Sequence, residues 1–558
     1  MRTILVCVAV FLGLMVTPAR GKPPTSWPPV SGPGTLFAHY GEEHWDDEDG
    51  ARILPVVVAD TVRYRPGAVV MSADKSSDGT VENLRTWKDF MRPYDRAGIP
   101  YFAAVGNHDR KAPPGFPGGI FPAGDLANYE RVFADRPYPF GDAPPPSDPL
   151  FSPRERPGDD PAGASSHYSF DYGRTRWIVI DNSCFSIVTC DALQNPPFPD
   201  PEGHASQYEF LRTRAAEAKA RGMRVFVNMH MPTQDDRPGH TQPTPSAHTM
   251  GEGISPDNAL FEQVASEEGV DAVFAGHIKG QWKYRAQGVR YFTDGGAGGE
   301  VYVGPGEEVG VDSGYWHGYR LVRVTKDGLV TDAVPVFVPG GISITGPAQA
   351  APGDELTFAA TGRQPTEHGP AVDALELREP DPSRPNASKL VSPARIWTSS
   401  NPEKVLAPLA APGGDDPRRD ASRQTTSGRF RALCPGKATV TITSGFERAS
   451  HVVAVPSAPG EIVRSIAPGE TVFPPGPEQP VAVVDLAQPA VVRAVLLRGD
   501  EVVAELASGC RRSTGARAVV WDGLIGGREA PEGPYTVEVT VLSDRAPVIR
   551  RFTVFARD

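Results

Sequence analysis

Carboxylates, imidazoles and one amide gather in five short segments of this 558-residue chain, each closing or following an apolar run. Glu42 and His44 end the segment 37–44, two residues apart, so both side chains point to one side of an extended backbone. Asp74 lies in Ser72-Ala73-Asp74-Lys75, directly after the run 69–71, with Asp78-Gly79 just beyond. Asn107, His108 and Asp109 stand in Gly106-Asn107-His108-Asp109 after the run 101–105. His230 closes 225–229, and His277 closes 273–275 within Gly276-His277-Ile278-Lys279. Taken singly, a histidine at a strand end is ordinary packing, and Gly-Asn-His-Asp is an ordinary turn. Together they form a mixed nitrogen and oxygen donor set that suits one or two ions of Fe, Zn or Mn. Their places at strand ends are where open α/β sheets bind ligands.

The elements that must position these residues are legible in the apolar pattern. Short buried runs at 69–71, 101–105, 177–180, 224–229 and 272–275 read as strands. Between them Leu84, Trp87, Phe90, Met91 and Tyr94 recur at spacings of three and four over 81–96, and Tyr208, Leu211 and Ala215 do so over 207–219. Strands alternating with helices predict an α/β sandwich. The stretch 111–166, rich in Pro, Gly and Asp, reads as a loop or cap insertion. Together with the loop 234–256 it is where pocket selectivity is expected. Beyond 338 the pattern becomes all-β. One module is expected at 339–456, with strands at 356–358, 438–442 and 451–455. After a linker at 457–461, a second follows at 462–558, with strands at 481–484, 491–497, 536–541 and 551–555.

In order and spacing the five segments resemble the calcineurin-like metallophosphoesterases, whose signature runs Asp-x-His, Gly-Asp, Gly-Asn-His-Asp/Glu, a lone His, then Gly-His-x-His. The resemblance spans residues 22–338 and takes in Tyr168-Ser169-Phe170-Asp171-Tyr172-Gly173. It implies a four-layer αββα sandwich and hydrolysis of a phosphate mono- or diester by a metal-activated hydroxide. It also implies that Asp74 bridges two metals, with Asn107, His230 and His277 completing the second site. His108 would serve the leaving-group oxygen, with Asp109 orienting its imidazole, and Asn107 would also meet the substrate.

Three positions depart from that pattern. Glu42 replaces Asp, Ala73 replaces Gly, and Lys279 stands where the last His belongs. A protonated lysine cannot ligate a metal and repels one. The first site, built on Glu42, His44 and Asp74, is therefore expected to bind metal weakly or to be filled by the Lys279 ammonium, or else the whole centre is expected to be inactive. In the second case Lys279 would bind substrate phosphate as a point charge. The alternative function is a pseudophosphoesterase that keeps the fold and binds a cell surface or matrix. The β modules have resemblances that would serve attachment. Residues 342–353, Trp397-Thr398-Ser399-Ser400-Asn401-Pro402 and Gly436-Lys437-Ala438-Thr439-Val440 resemble a bacterial immunoglobulin-like domain. Trp521-Asp522-Gly523 and Ala530-Pro531-Glu532-Gly533-Pro534-Tyr535 resemble the immunoglobulin-like domain of the flagellar hook-assembly protein.

Composition bounds the remaining possibilities. A net charge of −12 argues against a general nucleic-acid binder. It leaves a phosphorylated substrate open, because a metal supplies local positive charge. Residues 1–21 read as a signal peptide: Met1-Arg2, an apolar run over 3–16 too short for a permanent span, then Ala19-Arg20-Gly21. A secreted, periplasmic or cell-surface location follows, with no transmembrane segment after its removal; a retained N-terminal anchor is the alternative. Beyond Cys7, inside that signal, the four cysteines suggest disulfides in an exported protein. Cys184 and Cys190 bracket a short loop and are candidate partners, whereas nothing in the sequence fixes the pairing of Cys434 with Cys510. Among the other histidines, His39 and His317 read as packing residues and His167 as a surface or strand residue. His204, His240 and His248 lie in loops that could rim the pocket.

Overall fold

A computed structural model describes residues 35–110, 126–133, 151–152, 166–193, 203–234, 257–299, 309–366, 374–384, 386–409 and 424–557. The expected signal peptide, His240, His248, residues 235–256 and most of the 111–166 insertion lie outside these residues.

Strand β1 (Thr35–Tyr40) shows how the sequence builds the layers. Its Leu36, Ala38 and Tyr40 join one apolar cluster, while Phe37 joins another on the opposite face. A strand covered on both faces must be apolar at nearly every position. Strands β2 (Ala68–Met71) and β3 (Tyr101–Ala103) run parallel to it, and β11 (Gly318–Thr325) and β12 (Gly328–Pro335) complete a sheet of order β12-β11-β1-β2-β3. A second sheet has the order β4-β5-β6-β7-β8-β10-β9. Its members are β4 (Phe151–Ser152), β5 (Tyr168–Tyr172), β6 (Thr175–Val179), β7 (Arg224–Asn228), β8 (Ala272–Ala275), β9 (Gln281–Ala286) and β10 (Val289–Asp294). In it β6, β7, β8 and β10 are parallel.

The two sheets meet through aromatic rings. Phe37, Phe102, Phe170, Trp177, Phe226, Phe274 and Phe292 share one buried cluster, and Phe102 lies stacked on Phe170. Helices α1 (Gly50–Tyr64), α2 (Val81–Ala97) and α3 (Ala127–Phe133) cover the outside of the first sheet. Helices α4 (Ile187–Leu193), α5 (Gln207–Ala220) and α6 (Asp257–Glu267) cover the second. The four-layer αββα arrangement is as expected. The apolar positions read at helical spacing do face the core: Leu84, Trp87, Met91 and Tyr94 on α2 are buried. Thr80 starts that helix by accepting a hydrogen bond from the Asn83 amide, and Gly98 ends it in a left-handed conformation. One difference lies within 111–166, where α3 forms because Tyr129, Val132 and Phe133 pack into the first helical layer.

The remainder is all-β, with many small sheets. One apolar core gathers Trp397, Phe430 and Val453, and another gathers Trp521, Tyr535 and Val554. The first is continuous with the α/β unit, since Trp316, Ala333 and Phe337 belong to it. Arg63 of α1 also stands 3.4 Å over the Phe446 ring. A disulfide joins Cys434 to Cys510 and so ties the two β cores together. The expected Cys184–Cys190 bridge is not formed. Both are buried thiols, and their local bonding explains the difference: the Cys184 amide donates to Cys190 Sγ at 2.9 Å, and that thiol faces Asp181 at 3.4 Å. Among the described residues no helix is long and apolar enough to cross a membrane.

Candidate metal centre

Every predicted site residue emerges from the carboxyl end of a parallel strand: β1 for Glu42 and His44, β2 for Asp74, β3 for Asn107, β7 for His230 and β8 for His277. The backbone there is strained. Five of the nine non-glycine residues with positive φ among the described residues are Glu42, His44, Ala73, Asp74 and His277. Cross-strand bonds hold the strain in place, from Glu42 N to Ala73 O, from His44 N to Asp74 O and from Gly276 N to His230 O. At Gly106 a Cβ atom would lie 2.0 Å from Asp74 Oδ1, so only glycine allows the Asn107 loop to approach.

Asp74, His230 and His277 offer ligand atoms that all lie within 4.8 Å of one another. Asn107 joins them, its Oδ1 2.8 Å from His230 Nε2. The same nitrogen is 3.2 Å from Asp74 Oδ2 and 3.1 Å from His277 Nδ1. Ser72 O, which can only accept, faces His230 Nδ1 at 2.8 Å and so fixes a proton there. The Nε2 lone pair is thereby turned toward three other electron-rich atoms. Such a cluster needs a cation, either a proton or a metal ion. A proton on His230 is one such cation. Burial opposes a charged His230, but Asp74 and then Glu42 outweigh it and hold the imidazole at about 9. Asp74 is correspondingly held well below the usual carboxylate range: burial would raise it, and the charges of His230 and His108 prevail.

His44, Asp74 and His108 form a second such group within 4.8 Å, with Asp74 common to both. His44 Nε2 is buried without a hydrogen bond, 3.3 Å from Glu42 Oε2 and 3.6 Å from Asp74 Oδ2. Burial and the Lys279 charge depress this imidazole, but Asp74 and Glu42 raise it to about 9. The longer Glu42 side chain also reaches across the centre, where its Oε1 accepts from the His277 amide at 2.6 Å. Lys279 sits at the edge of this group, where its ammonium is 3.6 Å from Asp47.

Asp109 differs from its expected role. Its Oδ2 accepts from Lys75 Nζ at 2.8 Å and from Gly106 N, and its Oδ1 accepts from Lys75 N. The His108 imidazole is held instead by Ser77 O, 2.9 Å from Nδ1. Lys75, fully buried, has drawn the carboxylate away, because a buried ammonium needs a paired anion.

Sequence reasoning also passed over other supports. Asn182 Oδ1 accepts from His230 N and Met231 N, fixing the end of β7. Arg110 pairs with Asp181 at 2.7 Å, behind the Asn107 loop. Glu43, between two expected ligands, is buried with both carboxyl oxygens lacking a hydrogen bond, and burial pushes its pKa well up against the pull of Lys75. A lone Asn, Arg or Glu carries no spacing signal, so only packing identifies these residues. Of the other histidines, His39 is buried between Asp294 and Asn228, as a packing residue should be. His204 and His167 are buried edge-on against Phe210 of α5, so His167 is not a surface residue.

Residues 35–280 match the family model described as calcineurin-like phosphoesterase. Several solved structures are similar. The protein described as the anchor in the inner membrane complex of Plasmodium is 15% identical, with a TM-score of 0.33, over 54% of this chain and 84% of that one. A purple acid phosphatase from yellow lupin seeds is 12% identical, with a TM-score of 0.37, over 55% and 52% respectively. A dimetal phosphatase from Danio rerio is 15% identical, with a TM-score of 0.33, over 54% and 96%. No curated protein matches.

Proposed function

We propose that this chain is a metal-dependent phosphoesterase that hydrolyses a phosphate mono- or diester. The observation that carries the reading is the pair of largely buried donor clusters sharing Asp74. The donor set fits a borderline transition ion such as Fe, Zn or Mn, and the orphaned His44 Nε2 is what such an ion would satisfy. Asp74, Asn107, His230 and His277 would hold one ion, and His44 with Glu42 and Asp74 would contribute to another. When bound, such ions lower the pKa of water and neutralise phosphoryl charge.

The chain's own residues do the rest. Ser72 O and Ser77 O orient the imidazoles of His230 and His108. The strained, cross-bonded loops fix the donors before substrate arrives, so little reorganisation accompanies reaction. Lys279, at the rim beside Asp47, is placed to attract an anionic substrate as a point charge.

Export through the N-terminal segment, and attachment through two immunoglobulin-like modules, belong to the same proposal. They rest on the sequence features of residues 1–21 and on the resemblances in the β region. Lys279 and Glu42 also favour a second reading, a catalytically impaired protein that binds a surface or matrix. The test is to purify the full chain, measure Fe, Zn and Mn per molecule, and assay a generic monoester and diester with each metal. Metal-dependent turnover supports the enzyme. A protein that takes up no metal and shows no turnover with any of them supports the second reading.

A further inference from the structure

We propose that His108 is itself a metal ligand in this chain, replacing at the first metal position the donor that Lys279 cannot supply. The inference rests on the metal-dependent reading above and goes beyond it, since it removes His108 from service at the leaving group. Several observations support it.

The donor atoms of His44, Asp74 and His108 already lie within 4.8 Å of one another, the same closeness seen for Asp74, His230 and His277. The two imidazoles of the first group meet edge to face, with centroids 4.8 Å apart. The His108 ring is prepared as a ligand ring would be. A carbonyl can only accept, so Ser77 O at 2.9 Å places the proton on Nδ1 and leaves the lone pair on Nε2. The same arrangement at His230, through Ser72 O, serves the other group.

The backbone fixes His108 against the shared carboxylate, because its amide donates to Asp74 Oδ1 at 2.9 Å and leaves Oδ2 to face the imidazoles. Finally, the carboxylate that would hold His108 as a proton donor is engaged elsewhere. Both oxygens of Asp109 serve Lys75. Lys279, meanwhile, is paired with Asp47 at 3.6 Å. Two imidazoles with the carboxylates of Asp74 and Glu42 make a donor set suited to Zn, Mn or Fe.

The test is a metal titration of the stripped full-length protein with Zn²⁺ by calorimetry, paired with Co²⁺ absorption spectra. Wild type is expected to take two ions. His108→Ala should take one, with the remaining affinity within about threefold of wild type, and should lose one component of the Co²⁺ spectrum. His108→Gln, which keeps a donor for Ser77 O, should bind the affected ion at least tenfold more weakly, and it guards against a simple folding defect. His277→Ala should lose the other ion. Retention of two ions with unchanged affinity and spectrum in both His108 variants, whatever happens to turnover, overturns the assignment while leaving the phosphoesterase reading intact. Failure of the wild type to bind any ion removes both.

Discussion

At the scale of single residues, the centre is governed by which cation satisfies crowded lone pairs. His44 and His230 sit at about 9 against an ordinary value of 6.5, with Asp74 and Glu42 supplying the attraction. A pKa raised on folding means the native state binds the proton more tightly. The resulting stability is present in full below 6.5 and is lost as pH rises through 9. Metal-stripped protein should therefore show a melting temperature that falls across this window, and thermal melts at successive pH values check it. A flat profile would show that the imidazoles are not so placed.

Lys75 and Asp109 give a second residue-scale prediction. Removing one partner of a fully buried pair costs about 3–5 kcal/mol, so Asp109→Ala should lower the denaturant midpoint strongly even in the metal-loaded protein. Lys75→Met, which also relieves Asp109→Ala of its stranded ammonium, should recover part of that loss in the double variant. An Asp109→Ala midpoint equal to wild type would contradict the pairing.

At the scale of elements, much of the centre could be read from strand ends, because an apolar run followed by Asp, Asn or His marks where a buried strand surfaces. The run 69–71 ahead of Asp74 and the run 273–275 ahead of His277 became β2 and β8 with little change. What spacing could not convey was partnership across the sheet. Adjacent residues such as His108 and Asp109 leave the backbone in different directions, and nothing local says that Lys75 will claim the carboxylate. The Cys184–Cys190 pairing failed for a similar reason. A short separation permits a bridge, but the intervening chain starts α4 and sets the Cys190 thiol between the Cys184 amide and Asp181.

Loop approach is also an element property. Gly106→Ala would drive a Cβ into Asp74 Oδ1 and push the shared carboxylate out of the centre. We expect loss of metal from both positions together with a lowered melting temperature, read by metal analysis alongside a thermal melt. Full metal occupancy in this variant would show that the loop has slack.

The whole molecule links the centre to its β region more closely than a simple tether would. Leu390 packs with Ile278, Trp282 and Tyr315, directly beneath the segment that carries His277 and Lys279. Trp282 also forms an isolated antiparallel bridge with Leu390. The all-β composition after 338 was legible in the sequence, whereas this contact was not, since it depends on two surfaces far apart in the chain. The Cys434–Cys510 disulfide then fastens the two β cores across 76 residues of sequence. A crosslink of that kind contributes about 2–4 kcal/mol, mainly by restricting the unfolded chain. Cys434→Ser should lower the melting transition of the β region while leaving metal content unchanged. Simultaneous loss of metal would show that the second core also supports the centre.

The central claim is that buried donors sharing Asp74 hold metal for phosphoester hydrolysis. Its most direct test is Asp74→Ala in the full chain, with bound metal and turnover of a generic phosphomonoester and diester measured on the same sample. Asp74→Ala should lose metal from both positions, and turnover should fall to the uncatalysed level with the fold retained. Turnover that persists near the wild-type rate would contradict the claim.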